Sequence, residues 1–337
     1  MYHRRLIIVA AFWLAQAVAM APAFAGQFSI LEENDSLFSK SDKHYTQGLR
    51  LGYLSDPLIE GWRYNAFDFA NDVLPFFAAD GDRQRRFDVV LGQSIYTPSN
   101  LHLNPPSPTD RPYAGWLYTG ASLMQEDGGN QLTNLELLVG IVGPGSFAQQ
   151  TQNDWHQFVV GIPGGQGWHN QLKNEPGLAL SYEKRWRFDI VSLGVVGMDI
   201  VPEVGITAGN VLTYGSAGTI LRIGSDLGVD YGSARIRPGP SGTDWFDSAK
   251  LLHPLGWYVF FGGEGRAVAR NIFLDGNTFA TSRSVDKKPL VGDLTAGVAL
   301  FWKDDARLDI GLLSRTKEFY GQQGEDSYAG IRFSSRL

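Results

Sequence analysis

Three stretches of the chain contain the residue types that a reactive or ligand-binding site requires. The first includes Asn34 and Asp35, whose amide and carboxylate oxygens suit a hard cation or a water molecule. The run Asn-Asp-Ser is also ordinary turn sequence, so the residues alone leave both interpretations open. The second includes Asp110 and Arg111, and here Arg111 either binds a phosphate bidentately or pairs with Asp110 at a rim.

The third stretch, residues 149–158, follows a Gly-Pro-Gly turn and is predicted to form a short helix that is ended by the sequence from Pro163. Gln152 and His156 are four residues apart, so they share one face of that helix. A histidine beside an amide suits general-base chemistry, because imidazole titrates near neutral pH. Lys173 and Glu175 follow just before the next strand and add a cation and a carboxylate.

The composition excludes several other kinds of chemistry. The chain has no cysteine, which excludes a disulfide scaffold, a thiolate metal site and a cysteine nucleophile. The formal charge of −6 and the lack of a basic stripe argue against nucleic acid as a partner. No Gly-x-Ser-x-Gly, P-loop or His-Glu-x-x-His motif is present.

The N-terminal segment predicts export. Two arginines precede an almost wholly apolar run over residues 6–20, and Ala-Phe-Ala at 23–25 forms a cleavage site. This order is typical of a secretory signal peptide, and the run is short for a membrane-spanning helix. We therefore expect a signal peptide over residues 1–25 and a mature chain over residues 26–337.

The mature chain alternates apolar and polar residues at the period of β-strands. Twelve such runs are predicted: 27–33, 45–54, 86–96, 113–125, 132–142, 178–186, 193–207, 216–225, 256–264, 290–302, 306–316 and 326–336. Their polar faces mix glycine with charged residues, and tyrosine and tryptophan lie near their ends, as in an all-β, antiparallel transmembrane barrel of the bacterial outer membrane. A soluble, secreted β-sandwich is the alternative fold.

Strand parity places the three polar stretches in loops at the outer end of such a barrel, if the N-terminus is periplasmic. Two inner connections are too long for simple turns. Residues 55–85 are rich in aromatic residues and predict an amphipathic interfacial helix, whereas residues 226–255 suggest a further hairpin. We expect glycine-rich, sparsely charged inward faces, which predict a narrow, filled barrel rather than a wide pore.

Six sequence strings together resemble the outer-membrane lipid A 3-O-deacylase family. They are ENDS at 33–36, DKHYTQGLRLGY at 42–53, GQSIYTP at 92–98, DRPYAGWLY at 110–118, QTQNDWH at 150–156 and GWHNQLKNEPGL at 167–178. The resemblance extends from residue 27 to about residue 187 and continues weakly to the C-terminus. The combination of DRPYAGW with Gln-x-x-x-His is its most specific part.

This resemblance implies a twelve-stranded barrel that removes the 3′-acyloxyacyl chain of lipid A, or lipopolysaccharide, in the outer leaflet and requires Ca²⁺. It implies that His156 is the general base, with Gln152 beside it, and that Thr46 lies nearby. Asn34 and Asp35 would then bind the metal or a water.

The chain departs from the family in one respect, because no acid follows His156 within residues 157–163. Glu175 is the nearest downstream candidate for the missing carboxylate and metal ligand. The charges of Arg111 and Lys173 suggest that they bind lipid A phosphates. A barrel phospholipase and a non-catalytic or porin-like barrel remain as alternatives, and we expect a membrane-embedded monomer.

Overall fold

The computed structural model describes residues 26–35, 43–73, 76–77, 83–161, 163–233, 235–236, 243–303 and 306–336. The predicted signal peptide lies outside these residues. The strands are β1 (Gly26–Asn34), β2 (His44–Ser55), β3 (Arg83–Thr97), β4 (Ala114–Asp127), β5 (Gln131–Val142), β6 (Glu175–Trp186), β7 (Phe188–Leu193), β8 (Val196–Ala208), β9 (Leu212–Gly224), β10 (Leu255–Asn271), β11 (Leu290–Trp302), β12 (Ala306–Arg315) and β13 (Asp326–Arg336).

The strands form one closed antiparallel barrel. Each strand pairs with its sequence neighbour except β6 and β7, which both pair with β8, and β1 also pairs with β13, which joins the two ends of the chain. β6 and β7 lie end to end along the same edge of β8, in one continuous register that is interrupted at Arg187. The barrel therefore has twelve strands, as predicted, and its antiparallel all-β class is confirmed.

The two faces of the barrel wall differ sharply in polarity. In β6, Leu178 and Leu180 lie exposed on the outer face, while the alternating residues Ala179, Ser181 and Glu183 are buried in the lumen. Other strands repeat this pattern, which is typical of a sheet whose outer face contacts lipid. None of the helices among the described residues is long and apolar enough to cross a membrane.

The predicted helix in the first long connection is present as α1 (Trp62–Val73). Phe67 and Ala70 are buried against the outer wall near Leu123, whereas Trp62 and Phe69 are each 70% exposed. The helix thus lies along the outside of the barrel and exposes the apolar side chains of Trp62 and Phe69 to the surroundings, which is typical of a helix at a membrane interface.

The prediction of a hairpin within residues 226–255 is wrong. The described part of this segment forms two short 3₁₀ turns, Leu227–Val229 and Ser248–Lys250, and one isolated bridge between Asp230 and Phe246. Many of its described side chains, among them Tyr231, Asp244 and Trp245, are buried in the lumen rather than paired as strands, so we call the described residues 226–233, 235–236 and 243–251 the plug segment. The long connection is explained by this inward fold, because its residues find polar partners inside the barrel.

The lumen is filled, as predicted, but the expectation that it is sparsely charged is also wrong. Asp244 of the plug segment pairs with Arg50 of β2 at 3.2 Å and with Arg332 of β13 at 2.7 Å. A chain of buried ion pairs continues from these residues across the barrel through Asp88, Glu136, Asp309, Arg307, Asp230, Arg222 and Asp199. These charges are not obvious in the sequence, because the charged residues within a strand alternate with lipid-facing apolar residues, as Arg307 and Asp309 do with Leu308.

Replacing Asp244 by Ala should destabilise the folded barrel by about 3 kcal/mol, because two buried guanidinium groups lose a shared partner. The midpoint of urea unfolding in detergent micelles measures this change. The control is Ser29→Ala, which removes only a 3.3 Å hydrogen bond to the same carboxylate and should cost about 1 kcal/mol or less. Equal midpoints for the two variants would contradict this view of the lumen.

Candidate functional site

A β-bulge in β2 sets the direction of the side chains at the rim where β1 ends and β2 begins, which we call the site rim. Tyr45 pairs with Tyr96 and Gln47 pairs with Ile95, so Thr46 is the extra residue. Bulges of this kind redirect side chains beside functional sites. Tyr45 points into the lumen, where its hydroxyl donates to Glu33 at 3.0 Å, whereas Gln47 shares the outer face with Ile95.

Asn34, Asp35 and Thr46 are brought together at the site rim. Asn34 is the last residue of β1 and pairs directly with Gln47 of β2. The backbone NH of Asp35 donates to the carbonyl of Thr46 at 3.4 Å, and its carboxylate accepts from the backbone NH of Lys43 at 2.6 Å. The Thr46 hydroxyl lies 2.7 Å from the hydroxyl of Thr97, which ties it to β3.

The predicted catalytic helix is also present, as α2 (Ala148–Trp155), and continues into one π-helical turn at His156–Val160. It packs on the outer face of the barrel, against β3 and β4. Ala148 sits over Gly115, where an added Cβ would lie only 2.2 Å from the Cβ of Ala148. Glycine at this position therefore allows the helix to lie directly on the wall.

Gln152 and His156 share the buried face of this helix, as their spacing predicts, and are only 1% and 3% exposed. The Oε1 atom of Gln152 accepts a 2.7 Å hydrogen bond from the indole of Trp168. Trp168 packs in turn with Tyr113, Ala148 and Ile95, so one cluster joins the second and third loops. Sequence reasoning missed Trp168, although it lies within the motif-bearing stretch GWHNQLKNEPGL.

His156 is held in the tautomer that a general base requires. Its Nδ1 atom lies 3.1 Å from the carbonyl oxygen of Pro163. A carbonyl oxygen only accepts hydrogen bonds, so in the neutral ring Nδ1 carries the proton and Nε2 carries the lone pair. The ring is thereby prepared to accept a proton at Nε2.

The two groups of residues occupy the same outer face of the barrel. Strands β1 to β4 are consecutive neighbours, about 5 Å apart, so the wall under α2 adjoins the wall that carries Thr46 and Asn34. Thr97 on β3 links them, because it contacts Thr46 and follows Ile95, which packs under the helix. The candidate site thus opens toward the outside of the wall and not into the lumen.

An apolar groove begins at Asp35 and runs over the outer face of β13, β12 and β11. Its volume is about 400 Å³. Small residues, Ala296, Ser314, Ser327 and Ala329, recess the wall, while Phe261, Leu294 and Leu312 stand beside them and are each more than half exposed. The groove is therefore continuous with the candidate site and open to whatever surrounds the barrel.

Two predicted site residues lie elsewhere. The guanidinium of Arg111 is fully buried, pairs with Glu318 at 3.2 Å and lies over the Tyr96 ring, so it is occupied within the rim, and its role in phosphate binding stays a prediction. Glu175 is on β6, five strands from β1, and accepts hydrogen bonds from Asn210 and Asn277. Glu175 therefore ties loops together and is not a ligand beside Asp35.

Lys173 is exposed, and its backbone exchanges hydrogen bonds with Asn277 of the loop after β10. It lies in the connection between β5 and β6, just before β6, which is five strands from β1. A role in phosphate binding stays a prediction for this residue.

The atoms that Asn34, Asp35 and Thr46 can offer as metal ligands are all oxygens, which suits Ca²⁺. Among the described residues, no three His, Cys, Asp or Glu side chains gather around a common point. A cation here would therefore need amide, hydroxyl or backbone oxygens and water beside the single carboxylate of Asp35. Ca²⁺ accepts such mixed ligands, whereas structural zinc sites use four His, Cys or carboxylate side chains.

The sequence analysis missed a buried network that joins three loops at the site rim. His44 has a left-handed backbone (φ 64°), and its Nδ1 atom lies 2.7 Å from Asp326, while Asp110 lies on its other side. Burial alone raises the pKa of Asp110, but hydrogen bonds from His44 and Ser99 outweigh that effect and lower this pKa to about 2. The ionised carboxylate thus holds the loop between β3 and β4, which contains both Ser99 and Asp110, against His44 at the start of β2.

These features define a class: an integral outer-membrane β-barrel with a filled lumen and a polar site on its outer face. The chain belongs to the LpxR family of outer membrane proteins, whose family model matches residues 6–337. It is therefore a protein of the bacterial outer membrane, as predicted.

Among solved structures, LpxR from Salmonella typhimurium is 22% identical, with a TM-score of 0.72 over 92% of this chain and 100% of that chain. At this identity the likeness shows the fold. The β-domain of the Bordetella autotransporter BrkA is 10% identical, with a TM-score of 0.44 over 93% of this chain and 98% of that chain. A comparison with curated proteins found no significant match.

The Asp110 contacts predict a defined loss of stability in acid. Since the pKa of Asp110 is lowered from 3.8 to about 2 on folding, its contribution is complete above pH 3.8 and disappears as pH falls toward 2. The difference in unfolding temperature between wild type and Asp110→Asn should have its full value near pH 5, where His44 is also protonated, and shrink below pH 4. A difference that is unchanged at pH 2.5 would contradict this assignment.

Proposed function

We propose that the protein is a Ca²⁺-dependent esterase that removes the 3′-acyloxyacyl chain of lipid A in the outer leaflet. The observation that carries this proposal is the direction of the candidate site. His156, Gln152 and Thr46 lie on the outer side of the wall at one rim, and an apolar groove open to the surroundings of the barrel begins at Asp35 on the same side, so the site is approached from the membrane and not from the lumen.

Hydrolysis of the ester follows from the orientation of His156. Its Nε2 atom accepts a proton from water, the resulting hydroxide attacks the ester carbonyl, and the same proton passes to the departing alkoxide. The products are a carboxylic acid and the freed hydroxyl of the sugar. Pro163 holds the ring by its Nδ1 proton throughout, which keeps Nε2 directed at the reaction.

Gln152 and Thr46 support this step from either side. Trp168 donates to Oε1 of Gln152, so the amide presents its NH₂ group as a donor for a substrate or water oxygen. Thr46, tied to Thr97, holds a hydroxyl at the neighbouring strand. When bound at Asp35 and Asn34, Ca²⁺ would supply positive charge for the developing oxyanion.

The groove offers a place for the acyl chain whose ester reaches the site. An apolar trough with small residues along its floor accommodates a flexible hydrocarbon, and its end at Asp35 places the chain beside the proposed metal ligands. Such a fit distinguishes lipid substrates by chain length and shape.

The alternatives are less well supported. A porin needs an open lumen, but ion pairs that involve Arg50, Asp244 and Arg332 cross this one. A phospholipase would share the lipid-facing location, and its products separate it from a lipid A deacylase in the experiment below.

Replacing His156 by Ala should reduce deacylation at least a hundredfold, since general-base catalysis typically contributes that much. Mass spectrometry of lipid A from cells that produce each variant, with and without Ca²⁺, measures the loss of one 3′-linked acyloxyacyl unit. The matched control is His169→Ala, an exposed histidine of the same loop, which should behave as wild type. Unchanged lipid A with altered phospholipids in the wild-type sample would replace this proposal by the phospholipase alternative.

Filling the groove should slow the reaction without disturbing the barrel. Ala296→Phe places a ring in the groove, two strands from the closing strand of the barrel, and should lower deacylation about tenfold by displacing the acyl chain. Val298→Phe changes the next outward position of the same strand, outside the groove, and serves as the control. Equal activity of both variants would show that the chain does not bind there.

A further inference from the structure

Glu32 is an ionisable residue on the apolar outer face of the barrel. In β1, Leu31 and Glu33 point into the lumen, so Glu32 and Asn34 share the outer face. The cross-strand partners of Glu32 are Leu49 and Ile331, both apolar and partly exposed to the surroundings of the barrel. A carboxylate is costly among lipid-facing side chains, so its presence here calls for a specific role.

Two amides surround this carboxylate. The Nε2 atom of Gln47 donates to Oε1 of Glu32 at 2.9 Å, and the side chain of Asn34 is hydrogen-bonded to the same carboxyl group. Gln47 lies on the outer face in phase with Leu49 and Leu51 of β2, and it pairs directly with Asn34. The three side chains therefore form one polar cluster on the wall, adjoining Asp35.

The chemistry of these groups fixes the direction of the Asn34 amide. A cation bound beside Glu32 favours its ionised form, which accepts hydrogen bonds but donates none, so Asn34 then turns its NH₂ group toward Glu32. Its carbonyl oxygen Oδ1 then points away from Glu32 and is offered as a ligand. In the reverse orientation two oxygen atoms would face each other without a proton between them. The same argument directs the NH₂ group of Gln47 to Glu32.

We propose that Glu32 is a positioning residue that orients the Asn34 oxygen toward the bound cation and adds a second negative charge beside it. The proposal rests on the proposed function, since it concerns the Ca²⁺ that the esterase would use. It accounts for a chain in which Asp35 is the single carboxylate among the candidate ligands at the rim and no acid follows His156 in residues 157–163. Hydrogen-bonded residues behind a metal ligand typically change metal affinity 10–100-fold when they are replaced.

The test is the Ca²⁺ dependence of the unfolding temperature of the purified, full-length mature barrel in detergent, which requires no catalysis. A cation that binds only the folded barrel raises this temperature, and the Ca²⁺ concentration at which the rise begins reports its affinity, because the stabilisation grows with the logarithm of concentration over Kd. Glu32→Gln should weaken the apparent affinity for Ca²⁺ about tenfold or more, because the glutamine amide loses the charge and accepts the reversed Asn34 orientation. The variant should still fold, since it removes a charge from the outer face.

Two further variants make the result specific. Lys184→Gln makes the matching charge-to-amide change on the outer face of β6 and should bind Ca²⁺ as wild type does. The double variant Glu32→Gln with Gln47→Glu moves the carboxylate to the position opposite Asn34 and should recover most of the lost affinity. A double variant as weak as Glu32→Gln would overturn the amide-orienting role.

Deacylation of lipid A, measured on the same preparations, separates the two proposals. The role of Glu32 is overturned, even if lipid A is cleaved, when Glu32→Gln binds Ca²⁺ as tightly as wild type. It is also overturned when the unfolding temperature of the wild-type barrel does not depend on Ca²⁺. Ca²⁺ binding that depends on Glu32, without cleavage of lipid A, supports that role and overturns the proposed reaction.

Discussion

The alternation of side chains across a closed sheet is the constraint on which the rest of this structure depends. Each residue of the wall faces either the lumen or the surroundings, and no loop is needed to separate the two environments. One inserted residue, Thr46, changes this alternation locally. Tyr45 therefore points inward and donates a hydrogen bond to Glu33, while the Thr46 hydroxyl contacts Thr97 at the candidate site. The lumen has room for the tyrosine because residue 48 is glycine, where a Cβ would lie 1.9 Å from the tyrosine hydroxyl.

The barrel uses its two faces for different purposes. The lumen is filled by buried ion pairs, such as those of Asp244 with Arg50 and Arg332, which hold the strands together from inside. The chemistry is confined to the outer face, where α2 lies flat on β3 and β4. Local contacts hold that helix: Ala148 over Gly115 and Trp168 against Gln152. The candidate site is thus built on a wall whose own stability comes from the opposite side of the same strands.

Much of this arrangement could be predicted from the sequence. Period-two alternation predicts the strands and the fold class, and helical spacing predicts that Gln152 and His156 share a face. The partners of Arg111 and Glu175 could not be predicted, because Glu318 and Asn277 are distant in sequence and meet them only across the rim. The bulge was equally hidden, since an extra residue leaves the composition of β2 unchanged. Glu32, by contrast, was visible in principle as a charge in phase with Phe28 and Ile30.

The position of Asp244 has a consequence for how the barrel is completed. This one carboxylate contacts Arg50 on β2, Ser29 on β1 and Arg332 on β13, so it spans the seam at which the first and last strands meet. That seam joins the residues most distant in sequence, the contact whose chain-entropy cost is largest. The plug segment therefore acts as an internal clasp, because Asp244 has all three partners only when β1, β2 and β13 lie side by side. We expect closure of the ring and docking of the plug segment to stabilise each other.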